Sequence, residues 1–173
     1  DQITDLKFIS VCGGVFCTYY PQAFEGKCDY ICRGEGDEAI PELMDLISEG
    51  KTGHHLPNIH PNPMRPAVNV NTLPITDHDI FPAKSLYRPF QGKIVKIGVT
   101  ETQRGCPFKC KFCNSPSNAG LYKEETDSLF FRKKTVEHQE AELKYLIDRH
   151  NIEVLWILTD TFLTMSKRGF DEW

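Results

Sequence analysis

The sequence contains no apolar run of about 18 residues, so no membrane-spanning helix is expected. Its first residues, DQITDLKFIS, have neither a basic n-region nor an apolar h-region, so no signal peptide is expected. There is no long basic run, and charge alone gives no indication of nucleic-acid binding. Apolar residues are not scarce: at 40 % of 173 residues they suffice for a packed core in one or two domains, which excludes general disorder. The seven cysteines are an odd number, and three of them crowd into residues 106–113. A secreted disulfide scaffold uses paired cysteines in a shorter chain, so a reducing, cytoplasmic compartment is expected.

What is present is unevenly spread. Residues 1–50 carry ten acidic and three basic side chains, net −7, whereas residues 93–134 carry nine basic and four acidic, net +5. Either two surfaces are solvated differently, or the region around the three cysteines faces an anionic cofactor or substrate.

Three sections separate by composition. In residues 1–50, LKFISV reads as a short buried strand ending at Gly13-Gly14, and CDYICRG as a second strand closed by Gly34-Glu35-Gly36. DEAIPELMDLISEG reads as a helix whose apolar face is Ile40, Leu43, Met44 and Ile47, with Asp37 as cap, Pro41 in the first turn and Gly50 as stop. Residues 51–92 hold seven of the eleven prolines and no sustained period, which predicts an extended, stiffened linker. Its histidines, His54, His55 and His60, read as surface residues and not as metal ligands. In residues 93–173, KIVKIGVT is a strand with alternating apolar residues, followed at once by the cysteine loop. TVEHQEAELKYLIDRH is a helix capped by Thr135, with Val136, Leu143, Leu146 and Ile147 on one side. VLWILT reads as a buried parallel strand that ends at Asp160. Strand, loop, helix, strand, polar residue is the opening order of a β/α barrel, whose chemistry sits at the C-terminal ends of strands. The Arg132–Lys134 run reads as a solvated helix entrance or a patch that neutralises an anion.

In RGCPFKCKFC, Cys106, Cys110 and Cys113 admit three readings. A structural zinc site needs four protein ligands, and no fourth cysteine or histidine lies within 20 residues on either side. A buried set of structural thiols fits poorly with the interleaved Lys109 and Lys111. A 4Fe–4S cluster commonly takes four cysteines, and three leave one iron open to an exogenous molecule.

The Cys-x-x-x-Cys-x-x-Cys spacing, with Phe112 before the third cysteine and a strand before the loop, resembles the radical S-adenosylmethionine superfamily. That resemblance implies a 4Fe–4S cluster on Cys106, Cys110 and Cys113, with the methionyl amino and carboxylate groups of S-adenosylmethionine on the open iron. One electron from the cluster would then cleave the sulfonium to a 5′-deoxyadenosyl radical. It also implies that Phe112 lines the adenine side and that Asp160 meets the methionyl amino group, although Thr159-Asp160-Thr161 replaces the Gly-Gly-Glu of many members. An electron donor such as flavodoxin or ferredoxin would be the partner; the substrate is not indicated.

The front section resembles the end of a cobalamin-binding domain. The resemblance rests on KFISVCGGVFCTYYP, CDYICRGEGDEAIPELMDLISEGK and NTLPITDHDIF in that order. It implies that Gly13 and Gly14 let the backbone approach the cobalamin nucleotide tail. The expected α/β architecture is therefore the C-terminal part of a doubly wound, Rossmann-like cobalamin-binding domain (1–50), a linker (51–92), and the first β/α units of a partial TIM-like radical S-adenosylmethionine barrel (93–173). A piece of a longer protein is expected, with an Asp-x-His-x-x-Gly segment upstream and further barrel strands downstream, marginally stable and inactive on its own. The expected activity is radical chemistry such as cobalamin-dependent methyl transfer. The competing functions are a tRNA methylthiotransferase, with Cys12, Cys17, Cys28 and Cys32 serving a second cluster, and a structural zinc-binding interaction module. Those four cysteines read more simply as small apolar residues.

Overall fold

The computed structural model describes residues 8–162, 164 and 167–171. The protein is mixed α/β, with two-, three- and two-stranded sheets among the described residues. It divides into two compact units, one running to Val68 and taking in Tyr122–Ser128, the other formed by Asn69–Leu121 and the chain from Leu129 onward. No described helix is long and apolar enough to cross a membrane.

In the first unit, β1 (Val11–Cys12) lies parallel to β2 (Tyr30–Ile31), with Val11 opposite Tyr30 and Cys12 opposite Ile31. The short helix α1 (Val15–Tyr19) and a 3-10 turn at Pro21–Phe24 connect them. Among the described residues of the predicted LKFISV strand, only Val11 is in β1. Phe8, Ile9 and Val11 are exposed and not buried as expected, because β1 has a strand neighbour on one side only among the described residues. Leu6 and Lys7 lie outside the described residues.

The predicted helix is α2 (Ala39–Ser48). It begins later than expected: Glu38 and not Asp37 holds the N-cap position, with no capping bond from its side chain. Pro41 sits in the first turn, where its missing N–H costs nothing. Gly50, at φ +71°, closes the far end by donating to Ile47 O while Lys51 donates to Leu46 O, so two terminal carbonyls are satisfied. The buried face centres on Ala39 and Leu43, flanked by Ile40, Leu46 and Ile47. Met44, assigned to that face from its spacing, points outward and is exposed.

Part of the proline-rich stretch completes this core. Leu56 and Ile59 join Tyr30, Cys32, Ala39 and Leu43 in one apolar cluster. A buried Leu or Ile contributes roughly 1.5–3 kcal/mol, so this segment adds materially to the unit's stability. The segment follows the continuation of β2: Arg33 N donates to Asn58 O and His60 N to Ile31 O. Buried Asn58 donates through Nδ2 to Arg33 O at 2.7 Å and accepts from Arg65 N at 3.1 Å, which satisfies both ends of its amide.

In the second unit, β3 (Tyr87–Phe90) and β4 (Lys93–Thr100) form an antiparallel hairpin. Gln91 and Gly92, both at positive φ, make the two-residue turn whose twist suits such a hairpin. On its other side β4 pairs in parallel with β7 (Val154–Ile157), Ile97 opposite Val154 through Thr100 opposite Ile157. The chain between them contains β5 (Gln103–Arg104), α3 (Ser115–Thr126), β6 (Arg132–Lys133) and α4 (Val136–His150); α5 (Lys167–Asp171) follows β7.

Thr135 caps α4 as predicted, accepting from His138 N. The inward face differs from the predicted one. Gln139, Glu142, Leu146 and His150 are buried, while Ile147 is exposed. The strand β7 also departs from expectation. Among the described residues it is an edge of its sheet, and Trp156 is 43 % exposed.

Candidate functional site

The cysteine loop leaves the C-terminal end of β4, as the sequence predicted. Its first residues are tied down. Gln103 and Arg104 pair antiparallel with Lys133 and Arg132, Lys134 N donates to Thr102 O, and Arg104 Nε reaches Glu101 Oε1 at 2.8 Å. Gly105 follows at φ +78°, and a Cβ there would stand 2.7 Å from Phe130 O. Only glycine both adopts that conformation easily and leaves room for Phe130.

Beyond Gly105 the chain is open. Cys106 is half-buried, and Cys110 and Cys113 are exposed, as are Lys109 and Lys111. The thiols are therefore not core residues. Cys113 N donates to Cys110 O, and Ser115 N points at Cys113 Sγ at 3.4 Å, the way a backbone amide supports a thiolate. Among the described residues no three His, Cys, Asp or Glu side chains are gathered for a metal ion. The three thiols share one short loop without converging on a point. As a donor set, three accessible soft ligands on one loop suit a thiophilic metal centre better than they suit a packed interior. Phe112 is 94 % exposed.

Asp160 stands just past β7, exposed, at the same strand end as the cysteine loop. Ser115 Oγ approaches Asp160 Oδ2 at 3.5 Å, so the residue two places after Cys113 meets the residue three places after Ile157. Parallel pairing of β4 and β7 puts both loops at one end of the sheet, where open α/β sheets place their chemistry.

Beneath this end lies an ion pair that sequence reasoning missed. Lys134 Nζ meets Glu142 Oε1 at 2.7 Å, and Thr100 Oγ1 donates to Glu142 Oε2 at 2.7 Å. Lys134 therefore belongs neither to a solvated helix entrance nor to an exposed anion-binding patch: it is buried and committed to Glu142. A legible signal existed in the stripe Gln139, Glu142, Leu146 and His150, a helical face carrying a carboxylate among residues that must point inward.

In the first unit, Gly13 and Gly14 lie at the C-terminal end of β1 as predicted. Gly14 takes φ +91° as the N-cap of α1. Gly34, at φ +70°, lies three residues past β2, and its Cβ side is filled: Tyr122 Oη would be 2.5 Å and Met64 Sδ 3.0 Å from an added Cβ. Tyr122 Oη also accepts from Glu35 N at 2.7 Å. The four cysteines here are free, with Cys17 and Cys32 buried. Burial, then the neighbouring Cys12, pushes the Cys17 thiol above its ordinary value. Burial and contact with the Cys12 thiol raise Cys28, and burial, Cys17 and Asp37 raise Cys32. His60 Nε2 faces Glu25 Oε1 at 2.9 Å, and the His54 ring stacks on Tyr30.

No family model matches the chain, and no solved structure matches it significantly. Three curated proteins do. It is 31 % identical over 173 residues to an uncharacterized methyltransferase of Pyrococcus horikoshii, covering 93 % of this chain and 35 % of that protein. It is 27 % identical over 161 residues to the bacteriochlorophyllide d C-8(2)-methyltransferase of Chlorobaculum tepidum, covering 91 % and 33 %. It is 24 % identical over 180 residues to the anaerobic magnesium-protoporphyrin IX monomethyl ester cyclase of Rubrivivax gelatinosus, covering 95 % and 30 %. The chain is thus similar, over nearly its whole length, to two methyltransferases and a cyclase, and spans about a third of the length of each.

Proposed function

We propose that the chain is part of a radical S-adenosylmethionine enzyme of the cobalamin-binding type, acting in methyl transfer or related radical chemistry. One observation carries this reading. The Cys106–Cys110–Cys113 loop leaves the C-terminal end of β4, and the parallel neighbour β7 delivers Asp160 to the same end. The similarity to two methyltransferases and a cyclase supports it.

In this reading the three thiolates hold a 4Fe–4S cluster. Bound there with one iron open, such a cluster supplies the electron that cleaves the sulfonium of S-adenosylmethionine. The chain's own residues bind and orient. Ser115 N supports the Cys113 sulfur, Asp160 accepts from the methionyl ammonium, and Phe112 closes over the adenine. Lys109 and Lys111 give the loop a positive rim that suits the methionyl carboxylate. In the first unit, Gly14, with no Cβ and with open space where one would stand, lets the backbone approach the cobalamin nucleotide tail. An electron donor of the flavodoxin or ferredoxin type and a cytoplasmic location belong to the same proposal.

Anaerobic reconstitution of the intact protein with iron and sulfide tests it. A brown protein with four irons that fades in Cys106→Ala is expected. A colourless protein holding one zinc would instead favour the interaction module. Eight irons, four of them lost on replacing Cys12 or Cys28, would favour the methylthiotransferase type. Retention of cobalamin through purification is expected for the cobalamin type alone.

A further inference from the structure

We infer that Gln103 is a positioning residue: it latches the first residues of the cysteine loop to the segment after β7, and so fixes Asp160 relative to the three thiols. The inference rests on the roles given above to those thiols and to Asp160.

Gln103 lies between β4 and Cys106 and is 2 % exposed. A glutamine this deep needs partners for an N–H₂ and a carbonyl, and it finds them in one place. Its amide donates to Thr161 O and, at 3.0 Å, to Thr164 Oγ1. The Thr164 hydroxyl lies 3.2 Å from Gln103 Oε1 and can return a bond to it. The backbone of Gln103 takes part as well, its carbonyl accepting from Thr159 Oγ1 at 3.2 Å. Asp160 therefore sits between two residues, Thr159 and Thr161, that are both bound to Gln103.

The far end of the loop holds the same segment through Ser115 Oγ and Asp160 Oδ2. Both ends of the cysteine loop thus grip the stretch that carries Asp160. The grip is itself anchored: Lys133, the β6 partner of Gln103, donates through Nζ to Thr164 O at 2.9 Å. A smaller side chain at 103 would leave Thr161 O and the Thr164 hydroxyl with only their own 3.3 Å bond in a half-buried place, with nothing left to tie that segment to the cysteine loop through residue 103's side chain. A shift of about 1 Å in a ligand-positioning group is enough to weaken a site markedly.

The test has two independent readouts in the intact protein. Without iron, Gln103→Ala should speed amide hydrogen exchange roughly tenfold in residues 101–105 and 158–162, the loss expected for buried hydrogen bonds. After anaerobic reconstitution, the same variant should take up iron and sulfide normally but bind S-adenosylmethionine roughly tenfold more weakly. That affinity is read from the change in the paramagnetic resonance of the reduced cluster on titration. Thr164→Val should act in the same direction on both readouts, and Thr164→Ser, which keeps the hydroxyl, should act on neither. Unchanged exchange in both segments overturns the latch. Faster exchange with unchanged affinity overturns the positioning role. If the unvaried protein takes up no iron, the cluster reading fails and the positioning role with it, while exchange still decides the latch. If Gln103→Ala does not fold, Thr164→Val carries both measurements.

Discussion

Lys134 and Glu142 form an ion pair, Nζ to Oε1 2.7 Å, with both side chains only 5 % exposed. Thr100 Oγ1 occupies the second carboxylate oxygen, and the Lys134 backbone engages both Thr102 and Gln139. A pair this dry is held by mutual need: each charge alone would be stranded away from water. Glu142→Gln or Lys134→Met singly should cost about 3–5 kcal/mol in denaturant unfolding of the second unit. The double replacement Lys134→Met with Glu142→Leu should cost clearly less than the sum. Strict additivity would refute the coupling.

Gly105→Ala should lower stability by roughly 1–3 kcal/mol, because its backbone is left-handed and Phe130 O blocks the Cβ. Gly92→Ala, where nothing stands within 4 Å of an added Cβ, carries the conformational cost without the clash and should be milder. Equal midpoints for the two variants would show that the contact with Phe130 is unimportant. Iron uptake should fall in Gly105→Ala alone, since that residue sits directly before Cys106.

Alkylation by iodoacetamide should sort the cysteines. In metal-free protein Cys110 and Cys113 should label within the first phase, whereas Cys17 and Cys32 are buried and should lag. Burial raises Cys17, Cys28 and Cys32, so their thiolate fraction at neutral pH is smaller than that of a free thiol. Their labelling should therefore keep accelerating with pH beyond about 9.5, where an ordinary thiol is almost fully ionised and levels off. Peptide mapping at two pH values checks this. Early labelling of Cys17 would contradict the described packing.

Arg65 binds Glu42 as a fork, Nη1 to Oε1 2.9 Å and Nη2 to Oε2 2.5 Å, and the guanidinium holds that carboxyl below its usual range. A carboxyl with a depressed folded value stabilises the protein above its unfolded value, about pH 4.3, and loses that contribution as pH falls through the lower folded value. Glu42 is half exposed, so the effect is under about 1 kcal/mol. Arg65→Met should remove this part of the acid sensitivity, seen as a shallower loss of thermal midpoint between about pH 5 and pH 3. An unchanged slope would show that solvent screens the pair completely.

Several features were legible because they depend on neighbours along the chain. The β4 strand follows from alternation, α2 and α4 from helical spacing, the stop at Gly50 from glycine's freedom at positive φ, and the Thr135 cap from a hydroxyl reaching an N–H three residues on. The hairpin strand β3 was hidden inside a proline-rich stretch, since Pro89 sits within it on a sheet edge that tolerates a missing donor. Met44 and Ile147 face solvent although their spacing puts them on the apolar stripe, because spacing gives a stripe but not which edge of it a neighbour covers.

By itself the sequence determined the chemistry available: three soft ligands in eight residues after a strand, an acid after the next strand, and glycines where the backbone must turn. Tertiary structure decided what those residues stand beside. Gln103 is an unremarkable polar residue in the chain, and it becomes a tie between two loops only because parallel pairing of β4 and β7 brings positions 103 and 161 together. The Lys134–Glu142 pair is likewise invisible as an ion pair until the strand end and α4 exclude water around it. Local rules fix conformation through bonds between near neighbours. Burial and charge pairing depend on distant segments closing over the same space, and no single stretch contains that information.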